Sequence, residues 1–153
     1  MTIAPLDIRC ALTGDAPLMR AIASAAYHPY IEEIGHPTAP MLADFDTHIP
    51  EDICFMLWIQ GRACGYAIIL EKPDGFWLEN IAVHPDQQGK GFGNLLLQAV
   101  EDFLSRHTDR YQLYTNIVMR ENVHWYKRQG FTQIKEAVED GFHRLYFQKM
   151  LSR

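Results

Sequence analysis

A chain of 153 residues is long enough to bury roughly 70% of its unfolded surface. Its 48% hydrophobic and 22% charged residues exclude a disordered, collagen-like or disulfide-scaffold chain. Its 14 basic and 19 acidic residues, for a net charge of -5, exclude a basic nucleic-acid-binding surface.

The elements read as follows in chain order. Leu6 to Leu12 reads as a first strand, and Asp15 is placed to cap a helix running through Tyr27. A polar, Pro-punctuated stretch from His28 to Pro40 leads into a short helical pattern from Met41 to about His48. Ile53 to Ile59, Ala63 to Leu70 and Phe76 to Val83 are apolar, β-branched or aromatic runs separated by Gln60-Gly61 and Pro73-Asp74-Gly75, the pattern of consecutive antiparallel strands. Phe92, Leu96, Ala99, Val100 and Phe103 recur at helical spacing, so one amphipathic helix should end near Arg106. A strand at Tyr111 to Val118, a helix at about Asn122 to Gln129 stopped by Gly130, and two strands around Asp140-Gly141 complete the pattern. The class is α+β with a mixed sheet, and no repeat or linker divides residues 1–153, so a single domain is expected.

Three cysteines, Cys10, Cys54 and Cys64, lack Cys-x-x-Cys spacing and leave an odd thiol in any disulfide scheme, which suits a reducing compartment. The start from Met1 to Cys10 has no basic stretch followed by an apolar run, and no window approaches the ~18 apolar residues of a membrane span. The expectation is a cytoplasmic protein, neither exported nor embedded. Seven histidines invite a metal, yet none shows His-x-x-x-His spacing on a helix, so none is expected.

The informative stretch runs from Leu78 to Gly93: a strand, a short loop and a glycine-rich helix start. The first turn of a helix carries unpaired N–H groups and the positive end of the helix dipole. Glycines let phosphate oxygens approach that backbone without meeting a Cβ. Two familiar phosphate motifs fail on spacing. A P-loop would need glycine where His84 stands and a hydroxyl residue where Gly91 stands, and a dinucleotide fingerprint would need glycine at Asn94. Lys90 could add a charge or could simply be solvated.

The segment resembles the GNAT acyltransferase superfamily, whose Gln/Arg-x-x-Gly-x-Gly/Ala motif reads here Gln88-Gly89-Lys90-Gly91-Phe92-Gly93. Around it lie the strand end Ile81-Ala82-Val83, the helix carrying Leu95-Leu96-Leu97, and further on Tyr126 before Gly130-Phe131. The resemblance implies a mostly antiparallel mixed sheet of about six to seven strands flanked by about four helices, with a V-shaped split between the fourth and fifth strands. It implies acetyl coenzyme A in that split: the backbone at Ile81, Ala82 and Val83 would pair with the pantetheine arm. The amides from Gln88 through Gly89, Lys90, Gly91, Phe92 and Gly93 to Asn94 would hold the pyrophosphate.

The implied activity is transfer of acetyl from acetyl coenzyme A to a primary amine by direct attack; a coenzyme-binding or sensing module without turnover is the alternative. Tyr126 sits where the family often has a tyrosine facing the coenzyme sulfur, and Glu79 where related enzymes often place a carboxylate that draws a proton through water. Either could instead be structural, Tyr126 as a packed helix tyrosine and Glu79 as an exposed strand carboxylate. Where the family frequently has an asparagine seven positions before the tyrosine, this chain has Met119. Asn116 and Asn122 flank it and could reach the coenzyme, although Asn122 could equally cap its helix.

Tyr27, His28, Tyr30 and Glu33 fall in the region that in this family commonly walls the acceptor pocket, where aromatics and carboxylates could hold a small-molecule or peptide amine. A solvated loop is the other reading. Cys54 and Cys64 are expected to be inert core thiols, and a homodimer stays open.

Overall fold

The computed structural model describes residues 6–152; Met1–Pro5 and Arg153, included in the single-domain expectation, lie outside them. Seven strands form one sheet: β1 (Leu6–Cys10), β2 (Ile53–Ile59), β3 (Arg62–Lys72), β4 (Gly75–Val83), β5 (Arg110–Asn116), β6 (Thr132–Glu139) and β7 (Phe142–Met150), in the order β1-β2-β3-β4-β5-β7-β6. Every neighbouring pair is antiparallel except β4 and β5. Five helices flank the sheet: α1 (Ala16–Tyr27), the single turn α2 (Ile31–Ile34), α3 (Phe45–Glu51), α4 (Phe92–Leu104) and α5 (Arg120–Arg128). Among the described residues no helix is long and apolar enough to cross a membrane.

Two cores form because the sheet is apolar on both faces. On one face Leu96, Leu97, Val100 and Leu104 of α4 and Val123 and Tyr126 of α5 pack on Leu57, Leu78, Ile81, Tyr111 and Leu113. On the other, Met19, Ile22 and Ala23 of α1 and Phe45 of α3 pack on Met56, Tyr66, Ile68 and Ala82.

Strand β4 carries two features that shape the site. Ile68 pairs with Asn80 and Ile69 with Leu78, so Glu79 is the extra residue of a β-bulge. The bulge resets the alternation: Leu78 and Ile81 both join the α4 core although they are three residues apart, while Ala82 joins the α1 core. The parallel pairing with β5 consists of one registered pair, Trp77 with Gln112, near the start of both strands. Beyond it β4 and β5 part, which is the expected V-shaped split.

Several element ends differ from the sequence reading for local reasons. Asp15 stands at the N-cap of α1, but its carboxylate accepts from the Leu12 N–H (2.8 Å) rather than from α1. The helical pattern at Met41–His48 resolves into a 3-10 turn, Ala39–Leu42, and then α3, whose start is set by Asp44 accepting from the Thr47 N–H (3.2 Å). Helix α5 begins at Arg120, so Asn122 lies inside it and is not its cap.

Candidate active site

The mouth of the split is a cleft of about 790 Å³ between the end of β4, the glycine loop, the C-terminal end of α1 and helix α5. Its β4 wall is an open strand edge. The His84 N–H donates to Cys64 O on β3 (2.7 Å), so by alternation the backbone of Ala82 and His84 faces β3 while that of Ile81 and Val83 faces the split. Both carbonyls on that edge are already taken: the Tyr27 hydroxyl donates to Ile81 O (2.7 Å) and the Gln88 amide to Val83 O (2.9 Å). The edge therefore offers its N–H groups.

The loop wall is built for an anion. Gly89 and Gly91 hold φ of 77° and 84°, in the left-handed region that other residues adopt at a cost, and a Cβ at either would meet nothing within 4 Å. The N–H groups of residues 89 to 91 donate to no other backbone carbonyl among the described residues, and those of Phe92, Gly93 and Asn94 are in the first turn of α4, where no intrahelical partner exists. Gln88 departs from the expectation, because its N–H already donates to Pro85 O (3.2 Å). Gly93 is small for a packing reason as well, since a Cβ there would stand 3.3 Å from the Trp125 ring. The Asn94 side-chain oxygen accepts from the Trp125 and Gln129 side chains (3.2 and 2.9 Å), which ties α4 to α5.

Tyr126 lines this cleft and is 7% exposed. Burial, and to a lesser degree the neighbouring Tyr30, pushes its hydroxyl above the usual phenol range, so it is protonated at neutral pH. That hydroxyl has no hydrogen-bond partner among the described side chains and backbone, nor is it among the fully buried unpartnered atoms. Tyr27, Tyr30 and Glu33 also line the cleft, with Tyr27 spent on Ile81; Asn122 lines it too. His28, Lys90 and Phe92 are not in its lining. His28 is exposed on a 3-10 turn, Lys90 reaches Gln87 (3.4 Å), and Phe92 packs against the α4 core.

Glu79 and Asn116 line a second cavity, of about 180 Å³, together with Thr38, Asn80, Tyr114 and Arg144. The two spaces adjoin along the chain. Glu79 and Asn80 face the smaller one and Ile81 to Val83 the larger; Asn116 and Met119 face the smaller one and Val118 and Arg120 the larger. Asn116 is thus away from the cleft expected to hold coenzyme, and its side-chain oxygen accepts from the Val118 N–H (3.1 Å). Glu79 is half-buried, with no hydrogen bond or ion pair among the described residues. Desolvation raises its pKa above the ordinary carboxylate range, opposed mainly by Lys72.

The sequence reading missed Arg120 and Arg128, which line the cleft from the two ends of α5; on a charged nine-residue helix, periodicity could not separate a cleft-facing arginine from a solvated one. Cys54 and Cys64 are buried, and burial pushes the Cys54 thiol up to about 12, so it carries no thiolate nucleophile at neutral pH. Among the described residues no three His, Cys, Asp or Glu side chains gather as a metal site.

A family model described as the acetyltransferase (GNAT) domain matches residues 50–133, more than half of the chain and all of the split. The chain belongs to the GNAT acetyltransferase family. GNAT enzymes use acetyl coenzyme A, and this one is an acetyl-coenzyme A-dependent acetyltransferase acting on an amine. No curated protein matches it in sequence.

Solved structures share its fold. The ribosomal-protein-S18-alanine N-acetyltransferase of Escherichia coli is 23% identical, covers 97% of this chain and 95% of its own, and gives a TM-score of 0.76. A GCN5-related N-acetyltransferase of Rhodopseudomonas palustris is 20% identical over 99% of both chains, with a TM-score of 0.79. The PaiA N-acetyltransferase of Thermoplasma acidophilum, solved with coenzyme A, is 15% identical, covers 95% of this chain and 98% of its own, and has a TM-score of 0.73.

Proposed function

We propose that this GNAT enzyme acetylates a primary amine by direct attack, with acetyl coenzyme A held in the larger cleft and no acyl-enzyme formed. The observation that carries the reading is the row of uncommitted amides at 89 to 94 beside an open strand edge whose N–H groups face the same cleft. The chemistry of the donor set fits the coenzyme. A helix start and a glycine loop suit a pyrophosphate, strand-edge amides suit the carbonyls of an extended arm, and Arg120 and Arg128 can meet phosphate oxygens.

The coenzyme supplies a thioester carbonyl; the chain supplies proton handling at both ends of the reaction. Tyr126, protonated and without an internal partner, gives its proton to the sulfur as the carbon–sulfur bond breaks. Glu79 takes, directly or through a water, the proton that the amine loses as the carbon–nitrogen bond forms. A carboxyl raised by desolvation is a stronger base than a free one. Whichever of the Ile81 and Val83 amides the arm leaves free donates to the charge developing on the carbonyl oxygen. The buried Cys54 and Cys64 thiols fit a route without a covalent enzyme intermediate.

We assign the enzyme to the cytoplasm, where three unpaired cysteines are stable, and treat the chain as one catalytic domain acting on a small-molecule or peptide amine. The test is release of free thiol from acetyl coenzyme A against a panel of amines. Acceptor-dependent release supports the enzyme. Coenzyme binding without release for any amine would instead mark a binding module.

A further inference from the structure

The smaller cavity contains polar groups that the fold leaves unused. Glu79 has no partner among the described residues, and the Thr38 hydroxyl, on a side chain only 2% exposed, has none either. Buried polar groups without partners are rare and costly, and a ligand that satisfies them recovers that cost. A buried hydroxyl and a half-buried carboxylate, both on residues that line one cavity beside the split, point to a polar molecule held there.

The charges around the cavity narrow its chemistry. Glu79 is the one acidic residue in the lining, against Arg144, His36 and His48. His48 is committed to Asp52 (2.7 Å), and His36 to Pro37 O (2.8 Å) with its ring edge-on to Phe142. The Arg144 guanidinium carbon stands over two aromatic rings, 4.6 Å from the Tyr114 centroid and 5.7 Å from that of Phe142, and the group meets Glu139 at 3.6 Å. That contact engages one terminal nitrogen and leaves most of its five donors free. Arg144 makes no ion pair with Glu79. A fixed cation and a separate unpaired carboxylate thus share a space of about 180 Å³, room for about six waters or a molecule of that bulk.

Resting on the acetyltransferase reading above, we infer that the acceptor is a small amino acid, its amine set against Glu79 and its carboxylate held by the Arg144 guanidinium. A polyamine would set a second cation against Arg144. A peptide amino terminus would bring no α-carboxylate to meet Arg144. A free amino acid satisfies both charges at once, and the Arg144 guanidinium, with most of its donors free, suits a bidentate carboxylate contact.

The experiment is steady-state acetyl transfer by the full chain with the common amino acids, their carboxamides, spermidine and an alanine-initiated peptide. A charge-assisted contact predicts that the best amino acid exceeds its own carboxamide in kcat/KM by at least about tenfold. Arg144→Gln is expected to raise KM for the acid by about that factor while leaving KM for the carboxamide and the coenzyme Kd in place, and Arg144→Lys to recover part of the loss. Equal use of acid and carboxamide, or preference for spermidine or the peptide, overturns the inference and leaves the acetyltransferase standing. Absence of transfer to every amine overturns both.

Discussion

Glu79 is held half out of water by a bulge and has no partner among the described residues, and both facts bear on its pH behaviour. Desolvation favours its neutral form, so the carboxyl titrates above the ~4.3 of a free glutamate. As base it must be ionised; kcat/KM should therefore fall with falling pH through that raised value, and Glu79→Gln should lower kcat by about 10² to 10⁴ and abolish that acid limb. The stability sign is opposite. A carboxyl whose pKa is raised on folding binds its proton more tightly in the folded state, so it costs stability at neutral pH. Glu79→Gln should consequently melt no lower than the parent at pH 7, which separates a catalytic loss from a structural one. Tyr126→Phe should lower kcat by about 10² while changing coenzyme affinity little, because the missing proton matters only as the thiolate leaves. A turnover equal to the parent's would remove Tyr126 from the mechanism. Its upward-shifted hydroxyl also predicts no alkaline limb from Tyr126 up to pH 9 in the parent.

At the scale of elements the site is a bulged strand, a loop and two helix ends. Gly91→Val would force a β-branched residue into φ of 84°, costing about 1–2 kcal/mol, and would put bulk where nothing now stands within 4 Å. Coenzyme Kd measured by calorimetry should rise at least about tenfold, and an unchanged Kd would contradict the loop's role. Tyr27→Phe removes the hydroxyl that α1 donates to Ile81, and leaving a buried carbonyl without that donor should cost about 1–3 kcal/mol in denaturant unfolding. The glycine loop and the long helix after it were legible because Gly89, Gly91 and the run from Phe92 to Phe103 carry a backbone requirement and a period in their residue types. The bulge was not. An extra residue in a strand leaves no mark when Leu78, Asn80, Ile81 and Ala82 are all buried on one face or the other, so Glu79 could be named while the space it faces could not. Met119 precedes α5 without a side-chain cap, so no residue type marks the helix start, whereas Asn122, a good capping type, lies inside the helix. Thr38, Phe142 and Arg144 come from segments distant in sequence, and only the fold brings them to Glu79, so no local pattern marks the smaller cavity.

For the whole molecule, strands β4 and β5 share one registered pair, Trp77 with Gln112, and the core under α4 and α5 spans both sides of that junction while the core under α1 and α3 covers the opposite face. The parting of β4 and β5 leaves two adjoining spaces, a larger one lined by Tyr126 and a smaller one lined by Glu79 and Arg144, in which the proposed reaction sets the coenzyme and the amine. The most direct test is an amide-resolved NMR titration with coenzyme A. The largest shifts should fall on the backbone amides of Gly89 to Asn94 and on Ile81 and Val83, saturating at one coenzyme per chain. Saturable binding that leaves those amides unmoved, or no binding at all, would contradict the placement of the coenzyme in this split.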